Sequence, residues 1–349
     1  MIELLQKLEN EKNLSREEWI AVFDGRNANS LEYLEARARA ITDEFFGKSV
    51  YIRGLIEFSN YCRNDCYYCG IRCSNAKAGR YRLSSEDILD CCRRGYDLGF
   101  RTFVLQSGED AFYTDEDIAK IISSIKTAYP DCAITLSAGE HSRESYRKYF
   151  DAGADRYLLR HETADSHHYR ILHPENLSLD HRMHCLWTLK KIGYQVGSGF
   201  MVGSPGQTSG TLAEDMLFIS RLQPHMVGIG PFIPHRNTPF ANEKGGTEEL
   251  TLYCIGLLRL LLPEGLIPAT TALGTISPDG REKGILAGAN VLMPNLSPAS
   301  ARDKYQLYND KICTAEEPAE YMHRLRHRLQ KIGYRAVISR GDHPSSKTR

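Results

Sequence analysis

The feature of this sequence that most restricts its fold is a regular alternation of short apolar segments with longer helical segments. The apolar segments are typical of buried strands, and about 10–15 residues of helical pattern separate them. Because strands that alternate with helices form parallel sheets, and eight such units close into a barrel, we predict a (β/α)8 TIM barrel of the α/β class. A doubly wound open sheet is the structural alternative. The eight predicted strands span 51–58, 102–106, 133–137, 156–160, 195–202, 226–230, 267–270 and 289–293.

The two ends of the chain do not follow this repeat. Residues 1–47 have the pattern of two or three polar helices, which we interpret as a helical N-terminal extension, and 48–313 would form the barrel. For 314–349 we predict a C-terminal helix followed by a frayed tail that begins at Gly341. The chain has 349 residues, and α/β barrels commonly extend over about 250 residues as one domain, so a single barrel with helical extensions accounts for the length.

Charge and hydropathy argue against two classes of partner. Lys and Arg together number 44, as do Asp and Glu, so the net charge is zero and no basic excess favours a nucleic acid. No apolar run reaches the ~18 residues of a membrane-spanning helix, and residues 1–19 lack the apolar core of a signal peptide. We therefore expect a cytoplasmic protein that binds neither nucleic acid nor a membrane.

Three of the ten cysteines, Cys62, Cys66 and Cys69, form the motif Cys-x3-Cys-x2-Cys. In a reducing compartment, clustered cysteines indicate metal binding or catalysis rather than disulfides. A structural zinc site normally uses four side chains, and ordinary ferredoxin-type clusters use four cysteines. Three thiolates would therefore leave one iron of a four-iron cluster open to a ligand. A zinc knuckle completed by Cys73, or a set of unconnected cysteines, is the alternative.

Together with the aromatic Tyr68 directly before Cys69, this motif resembles the signature of the radical S-adenosylmethionine (SAM) enzymes. The resemblance implies a [4Fe-4S] cluster held by the three cysteines, with the amino and carboxylate groups of SAM on its open iron. One electron would then cleave the SAM sulfonium to give a 5'-deoxyadenosyl radical. The electron would come from a donor such as ferredoxin or flavodoxin.

Polar residues follow the predicted strands at the end where a TIM barrel carries its active site. Arg160 and Glu162 directly follow the fourth strand, and charges beside a barrel core are costly unless they are paired. Either the two side chains pair with each other, or they bind a zwitterion such as SAM or an amino acid. Six histidines nearby fit no standard metal pattern, so we interpret them as part of a surface helix. They are His161, His167, His168, His173, His181 and His184.

Five segments are similar to those of the HydE family of [FeFe]-hydrogenase maturases, in the biotin synthase-like group of radical SAM enzymes. The similarity extends from about residue 50 to residue 313. The family assembles the di-iron subcluster of the hydrogenase active site and acts on a small sulfur-containing iron–cysteine precursor. The resemblance therefore implies a small-molecule or small iron-complex substrate, with other hydrogenase maturases as further partners. The five segments are 56–60, 106–109, 160–163, 230–235 and 268–272.

The resemblance also implies roles for individual residues. Ser137 and Met293 join the substrate set through their positions at the ends of the third and eighth predicted strands. Many family members carry a second cysteine set near the C-terminus, of which this chain retains only Cys313, so we expect one cluster per chain. The expected SAM contacts are Tyr68, Gln106, Ser107, Thr135, Glu162 and Arg182. The expected substrate contacts are Ser137, Arg156, Arg160, Thr270, Thr271, Met293 and Tyr305.

Other functions remain open at this point. One is a radical SAM amino-acid mutase that resembles methylornithine synthase, and another is a sulfur-chemistry enzyme like biotin synthase. A non-catalytic cluster carrier is a third. The segments 106–109 and 160–163 favour hydrogenase maturation over these alternatives.

Overall fold

The structure, a computed structural model, describes residues 1–312 and 318–346. All its strand pairs are parallel, and six strands form one sheet in the order β2-β3-β4-β5-β6-β8. A smaller sheet has the order β10-β1-β11, and β7 pairs with β9. The strands of the described residues are β1 (Ser49–Ile52), β2 (Gly54–Ser59), β3 (Thr102–Ser107), β4 (Ala133–Ser137), β5 (Arg156–Leu158), β6 (Gln195–Ser198), β7 (Met201–Val202), β8 (Met226–Val227), β9 (Gly230–Pro231), β10 (Val291–Leu292) and β11 (Arg335–Val337).

Single bridges close the six-stranded sheet into a barrel. Leu55 N of β2 donates to Pro294 O at 2.8 Å, which joins the first barrel strand to the segment after β10. The sheet therefore returns to its first strand, so the predicted (β/α)8 barrel is confirmed and the open-sheet alternative is wrong. The bridges that complete the circle are Met226–Leu266, Pro268–Val291 and Leu55–Asn295.

Helices cover the outside of the barrel, and many begin at a side-chain cap. At Ser15, Asn27, Ser84, Thr114 and Thr208 the cap and the third helical residue bond each other's amides, which satisfies two free N–H groups. No helix in the described part of the chain is long and apolar enough to cross a membrane. The helices are α1 (Ile2–Glu11), α2 (Arg16–Asp24), α3 (Ala28–Phe46), α4 (Ser85–Asp97), α5 (Asp115–Ala128), α6 (Arg143–Asp151), α7 (Ser166–Leu172), α8 (Leu179–Ile192), α9 (Ser209–Leu222), α10 (Glu248–Leu261), α11 (Thr271–Ile276), α12 (Gly280–Leu286), α13 (Ala299–Arg302) and α14 (Pro318–Lys331).

The main core lies between the barrel wall and this helical layer. On α5, Ile118, Ile121, Ile122 and Ile125 recur at helical spacing, and all four are buried. They belong to the same apolar cluster as Phe103 of β3, which is fully buried. The N-terminal helices extend this layer, since α2 packs on α9 and α3 packs on α10.

Four predicted strands differ from the structure, of which 195–202 is divided into β6 and β7, and 226–230 into β8 and β9. The segment 51–58 is divided, because β1 ends at Ile52 and β2 begins at Gly54, with Arg53 buried between them. The segment 267–270 makes only isolated bridges, at Leu266 and Pro268. Proline has no N–H to donate to a ladder, so it cannot support a regular strand there.

The C-terminal segment is ordered, so the predicted frayed tail is wrong for its first residues. Asp342 accepts hydrogen bonds from Arg156 Nη2 (2.5 Å) and Gln195 Nε2 (2.9 Å), and His343 N donates to Gln195 Oε1 (3.1 Å). Arg156 and Gln195 begin β5 and β6, so this segment covers the amino-terminal end of the barrel. Its partners are far away in sequence, which is why local composition did not reveal the order.

Candidate active site

A cavity of about 360 Å³ opens at the carboxyl ends of the barrel strands. Its wall takes side chains from all eight strand ends, which is the usual position of the active site in this fold. Thr135, Arg156 and Arg182 lie outside its wall. The predicted site residues that line it are Cys62, Cys66, Tyr68, Cys69, Gln106, Ser107, Ser137, Arg160, Glu162, Thr270, Thr271, Met293 and Tyr305.

The loop between β2 and α4 brings the three cysteines to one side of this cavity. Gly70 N donates to Leu307 O at 2.8 Å, and a Cβ on Gly70 would lie 2.1 Å from Gln306 O, so only glycine allows this approach. Arg80 fixes the loop from within because it donates to four carbonyl oxygens. These belong to Asn60 (2.5 Å), Ile71 (2.8 Å), Arg72 (2.6 Å) and Asn75 (3.4 Å).

Glu109, which follows β3, joins the cysteine loop to the next strand end. Its carboxylate accepts from Arg63 Nε (2.9 Å) and from Glu140 N (2.9 Å). Its own amide lies 3.4 Å from Cys62 Sγ and donates to it. A Cβ on Gly108 would lie 2.7 Å from Cys62 Cβ. The segment 106–109 therefore packs directly against the first cysteine.

The donor set fits a [4Fe-4S] cluster better than a single zinc ion. Three thiols line one cavity, and within the described ranges no three His, Cys, Asp or Glu side chains converge on a position for one ion. Cys73, the expected fourth ligand of a zinc knuckle, is exposed and does not line the cavity. Cys313, on which the single-cluster prediction depends, lies outside the described residues.

The cysteine thiols are desolvated. Burial raises the pKa of Cys62, Cys66 and Cys69, that of Cys69 to about 12. Thiolates are the form of cysteine that binds metal. A bound cluster would therefore stabilise the deprotonated thiolates, which burial in the loop alone disfavours.

Tyr68 is oriented by a buried histidine. Its hydroxyl lies 3.2 Å from His173 Nε2, while His173 Nδ1 lies 3.0 Å from Tyr169 O. Because a carbonyl only accepts, Nδ1 carries the proton and Nε2 accepts from Tyr68. Burial lowers the pKa of His173 to about 3, which keeps the ring neutral. The surface-helix interpretation of the histidines is wrong here, since His161, His168 and His173 are buried.

Arg160 and Glu162 carry polar atoms that the surrounding protein does not satisfy. Arg160 Nη2 lies 3.1 Å from Glu162 Oε2, yet neither atom reaches hydrogen-bond geometry with any described group. Both side chains line the cavity, and Glu162 has a φ of 65°. A non-glycine residue in this left-handed region is uncommon and is found mostly where function maintains it. The arrangement can therefore accept a zwitterionic ligand.

Two of the predicted SAM contacts, Arg182 and Thr135, are buried outside the cavity wall. Arg182 on α8 pairs with Glu140, and its Nη1 donates to Arg160 O at 2.7 Å. It therefore contacts the backbone of the ligand-facing segment rather than the cavity. Thr135 in β4 is fully buried, and its hydroxyl has no described hydrogen-bond partner.

Arg156 does not belong to the substrate end of the barrel, contrary to expectation. It begins β5 and pairs with Asp342 at the opposite end. Tyr305 does line the cavity, and its hydroxyl accepts from Gln106 Nε2 at 3.3 Å. Thr270 also lines it, with a buried hydroxyl that no described group satisfies.

A buried ion pair in the cavity wall was not predicted. Lys311 Nζ donates to Glu57 Oε1 (2.5 Å) and to Tyr305 O (2.9 Å), and Asn295 Nδ2 donates to Glu57 Oε2 (2.7 Å). A glutamate inside the apolar run of β2 was a signal that could have identified one partner. Nothing in the local sequence marks Lys311. Tyr308 is a further wall residue without a sequence signal.

Comparison with protein families gives one domain match. A family model described as the radical SAM superfamily matches residues 56–219, which include the cysteine loop and the segment that contains Arg160 and Glu162.

Individual proteins are similar over most of the chain. The [FeFe] hydrogenase maturase subunit HydE of Thermotoga maritima is 48% identical over 315 residues, 90% of this chain and 89% of the relative. The 3-methylornithine synthase of Methanosarcina barkeri is 32% identical over 272 residues, 77% of this chain and 76% of the relative. The crystal structure of methylornithine synthase (PylB) superposes with a TM-score of 0.83 at 28% identity, covering 96% of this chain and 97% of that one.

Proposed function

This chain belongs to the HydE family of radical SAM enzymes, and on that basis we propose that it acts in [FeFe]-hydrogenase maturation through the cavity at the barrel mouth. The observation that carries the proposal is the convergence of three cysteine thiols with the unsatisfied Arg160 and Glu162 in one cavity. Identity of 48% to a HydE subunit over 90% of the chain supports the family-specific role.

Different residues of the chain bind the cluster, SAM and the substrate. Cys62, Cys66 and Cys69 hold a [4Fe-4S] cluster, which when bound supplies the electron that cleaves SAM to a 5'-deoxyadenosyl radical. Glu162 accepts from the ammonium group of SAM, and Arg160 donates to a carboxylate on its substrate side.

The substrate occupies the part of the cavity away from the cysteines. Thr270 and Thr271 offer hydroxyl groups there, while Met293, Tyr305 and Phe232 supply apolar walls. Such a wall excludes water, which protects a reactive species from side reactions. A small sulfur-containing or amino-acid-containing molecule, or a small iron complex, suits a cavity of about 360 Å³.

The partners follow from the same chemistry. Reductive cleavage needs a one-electron donor, and we propose a small redox protein such as ferredoxin or flavodoxin, with other hydrogenase maturases as further partners. Nine free cysteines in the described residues suit a reducing compartment, which supports a cytoplasmic location.

A second candidate is amino-acid mutation of the methylornithine synthase type. The superposition on PylB over 96% of the chain favours it, because the two barrels share their whole architecture. Arg160 and Glu162, whose polar atoms lack hydrogen-bond partners, would equally bind the zwitterionic end of an amino-acid substrate.

Complementation separates the two candidates. A bacterial strain that lacks its HydE maturase but retains the hydrogenase and the other maturases is supplied with this chain, and hydrogenase activity is measured. We expect restored activity from the wild type and none from Cys66→Ala, while Cys73→Ala matches the wild type. Methylornithine formed from lysine by the purified enzyme, without restored hydrogenase activity, would instead support the mutase.

A further inference from the structure

Glu162 has a backbone conformation that needs support from its surroundings. Its φ of 65° lies in the left-handed region, which residues other than glycine seldom adopt. The backbone around it is bonded to the next strand segment, because Glu162 N donates to Gly199 O at 3.1 Å. Met201 N also donates to Glu162 O at 3.4 Å, so two backbone bonds attach Glu162 to this segment, but they involve neither Leu159 O nor Ala164 N at the ends of the turn.

A buried chain of polar side chains contacts the turn on both sides of Glu162. On α9, Asp215 Oδ1 accepts from Ala164 N at 2.6 Å and lies 3.2 Å from His161 Nε2. On the other side, His161 Nδ1 lies 2.9 Å from Ser198 Oγ, which donates to Leu159 O at 3.1 Å. These contacts therefore connect the amide of Ala164, after Glu162, to the carbonyl of Leu159, before it, through a 3.2 Å approach between His161 and Asp215.

This polar chain is buried among apolar groups. His161, Ser198 and Asp215 each have 0% exposure, and the rings of Phe200 and Phe218 lie 5.9 and 4.9 Å from the imidazole. Burying polar side chains is costly compared with apolar packing of the same volume. Apolar residues alone would pack this part of the barrel wall. The burial of three polar side chains therefore indicates that the turn requires their hydrogen bonds.

We propose that His161, Asp215 and Ser198 form a brace that positions the Glu162 carboxylate for SAM. This inference rests on the proposed function, because it assigns the brace to the SAM-binding step. The three residues touch neither the cavity nor the reactants, so they are positioning residues. They fix the two ends of the turn, and the turn then presents Glu162 and Arg160 to the cavity.

The bond from Ala164 N suggests a conservative substitution at Asp215. Burial lowers the pKa of His161 to about 3 and raises the pKa of Asp215 well above its ordinary range, because desolvation disfavours the charged form of each group. Asp215 Oδ1 accepts from Ala164 N and is also the oxygen that faces His161 Nε2, while Oδ2 has no described partner. The amide oxygen of asparagine can accept from Ala164 N in the same way, so Asp215→Asn keeps the bond to the turn, whereas Asp215→Ala removes it.

The test compares these variants with a matched control at the other end of the barrel. His225 is a partly buried histidine beside β6, where its Nδ1 accepts from Val196 N at 3.1 Å. His225→Leu therefore removes a partly buried imidazole that contacts β6, the strand of Ser198, without touching the turn. SAM affinity is measured by calorimetry on anaerobically reconstituted enzyme, and amide exchange of 159–165 is measured on the protein without cluster or SAM.

We expect Asp215→Ala and His161→Leu to weaken SAM binding by about tenfold or more, with unchanged cluster absorbance and faster amide exchange at 159–165. Asp215→Asn should restore both readouts to the wild-type values, and His225→Leu should lower the melting temperature alone. SAM affinity within twofold of wild type in Asp215→Ala would overturn the proposal. The proposal would also be overturned if Asp215→Ala lost no more SAM affinity than His225→Leu at the same drop in melting temperature.

Two further outcomes are also decisive. If Asp215→Ala and His161→Leu fail to fold, Ser198→Ala decides, because it keeps both larger side chains and should still weaken SAM binding. Wild-type SAM affinity in Ser198→Ala would then refute the brace. Failure of the unaltered, reconstituted protein to cleave SAM would count against the proposed function instead, and the exchange data would still show whether Asp215 holds the turn.

Discussion

At the scale of single residues, Cys62, Cys66 and Cys69 differ from the other described cysteines both in position and in burial, since all three are partly exposed. Cys91 and Cys92 are more deeply buried and belong to the apolar core, while Cys73 is exposed. Among the cysteines that the structure describes, only those of the motif line the cavity.

Replacing any one motif cysteine by alanine should abolish the cluster absorbance near 400 nm, because two thiolates are too few to hold four irons. Cys73→Ala is the matched control and should bind iron as the wild type does. Cys313→Ala should keep about four irons per chain. Loss of half the iron in Cys313→Ala would contradict the prediction of one cluster.

Thr270 tests whether an unsatisfied hydroxyl in the wall serves a ligand. Because its Oγ1 has no described partner, Thr270→Val should leave the melting temperature unchanged or slightly higher. Substrate conversion should fall, while substrate-independent formation of 5'-deoxyadenosine continues.

Thr275→Val is the control for this substitution. Thr275 Oγ1 donates to Thr271 O at 2.9 Å, so its removal should cost about 1 kcal/mol of unfolding free energy. A comparable loss of stability in Thr270→Val would mean that the hydroxyl has a structural partner after all.

At the scale of elements, the segment 303–312 closes the cavity from the side of the C-terminus. It contributes Tyr305, Leu307, Tyr308 and Lys311 to the wall, and the Lys311–Glu57 pair attaches it to β2. A buried ion pair of this kind is costly to break because one charge remains desolvated.

Lys311→Met should lower the unfolding free energy by about 3–5 kcal/mol, measured by urea denaturation, since Glu57 then remains buried without its cation. The loosened segment should also admit water and increase SAM cleavage without substrate.

The double variant Lys311→Met, Glu57→Gln should regain much of the stability. Asp90→Asn, in an exposed pair with Arg93, should change it by less than about 1 kcal/mol. A similarly small effect of Lys311→Met would show that the pair does not hold the segment.

The C-terminal tail should respond to acid through Asp342. Burial alone would raise the pKa of Asp342, but the charge of Arg156 and bonds from Arg340 and Gln195 outweigh it and hold the pKa well below the usual range. Its stabilising contribution is therefore present above the unfolded-state pKa of about 3.9 and is lost as the pH falls toward the folded-state pKa.

Asp342→Asn should accordingly be less stable than the wild type at neutral pH, and the difference should shrink as the pH is lowered from about 5 to about 2. Urea denaturation across this range measures the effect. Parallel stability curves for the two proteins would contradict it.

At the scale of the whole molecule, sequence patterns predicted the elements that depend on local periodicity. The predicted strand 133–137 agrees with β4, because it is a short apolar run. Sequence patterns failed where the structure of a segment depends on a residue far away in the chain. The C-terminal tail depends on Arg156 in this way, and the segment 267–270 depends on a bridge to Val291.

The site divides in the same way. The cysteine motif and Arg160-His161-Glu162 carry their own chemical signal, so they could be identified before the fold was known. Lys311 could not, because its role comes only from Glu57, 254 residues earlier in the chain. Arg156 was misassigned because a strand places its first and last residues at opposite ends of a barrel, and resemblance alone did not give that register.

The central claim is that this cavity performs radical SAM chemistry at the cysteine loop. The most direct measurement is the 5'-deoxyadenosine formed when anaerobically reconstituted protein is mixed with dithionite and SAM. We predict that the wild type forms it, that Cys66→Ala forms none, and that Cys73→Ala matches the wild type. A cluster-loaded wild type that releases no 5'-deoxyadenosine would contradict the account and leave a cluster carrier as the remaining function.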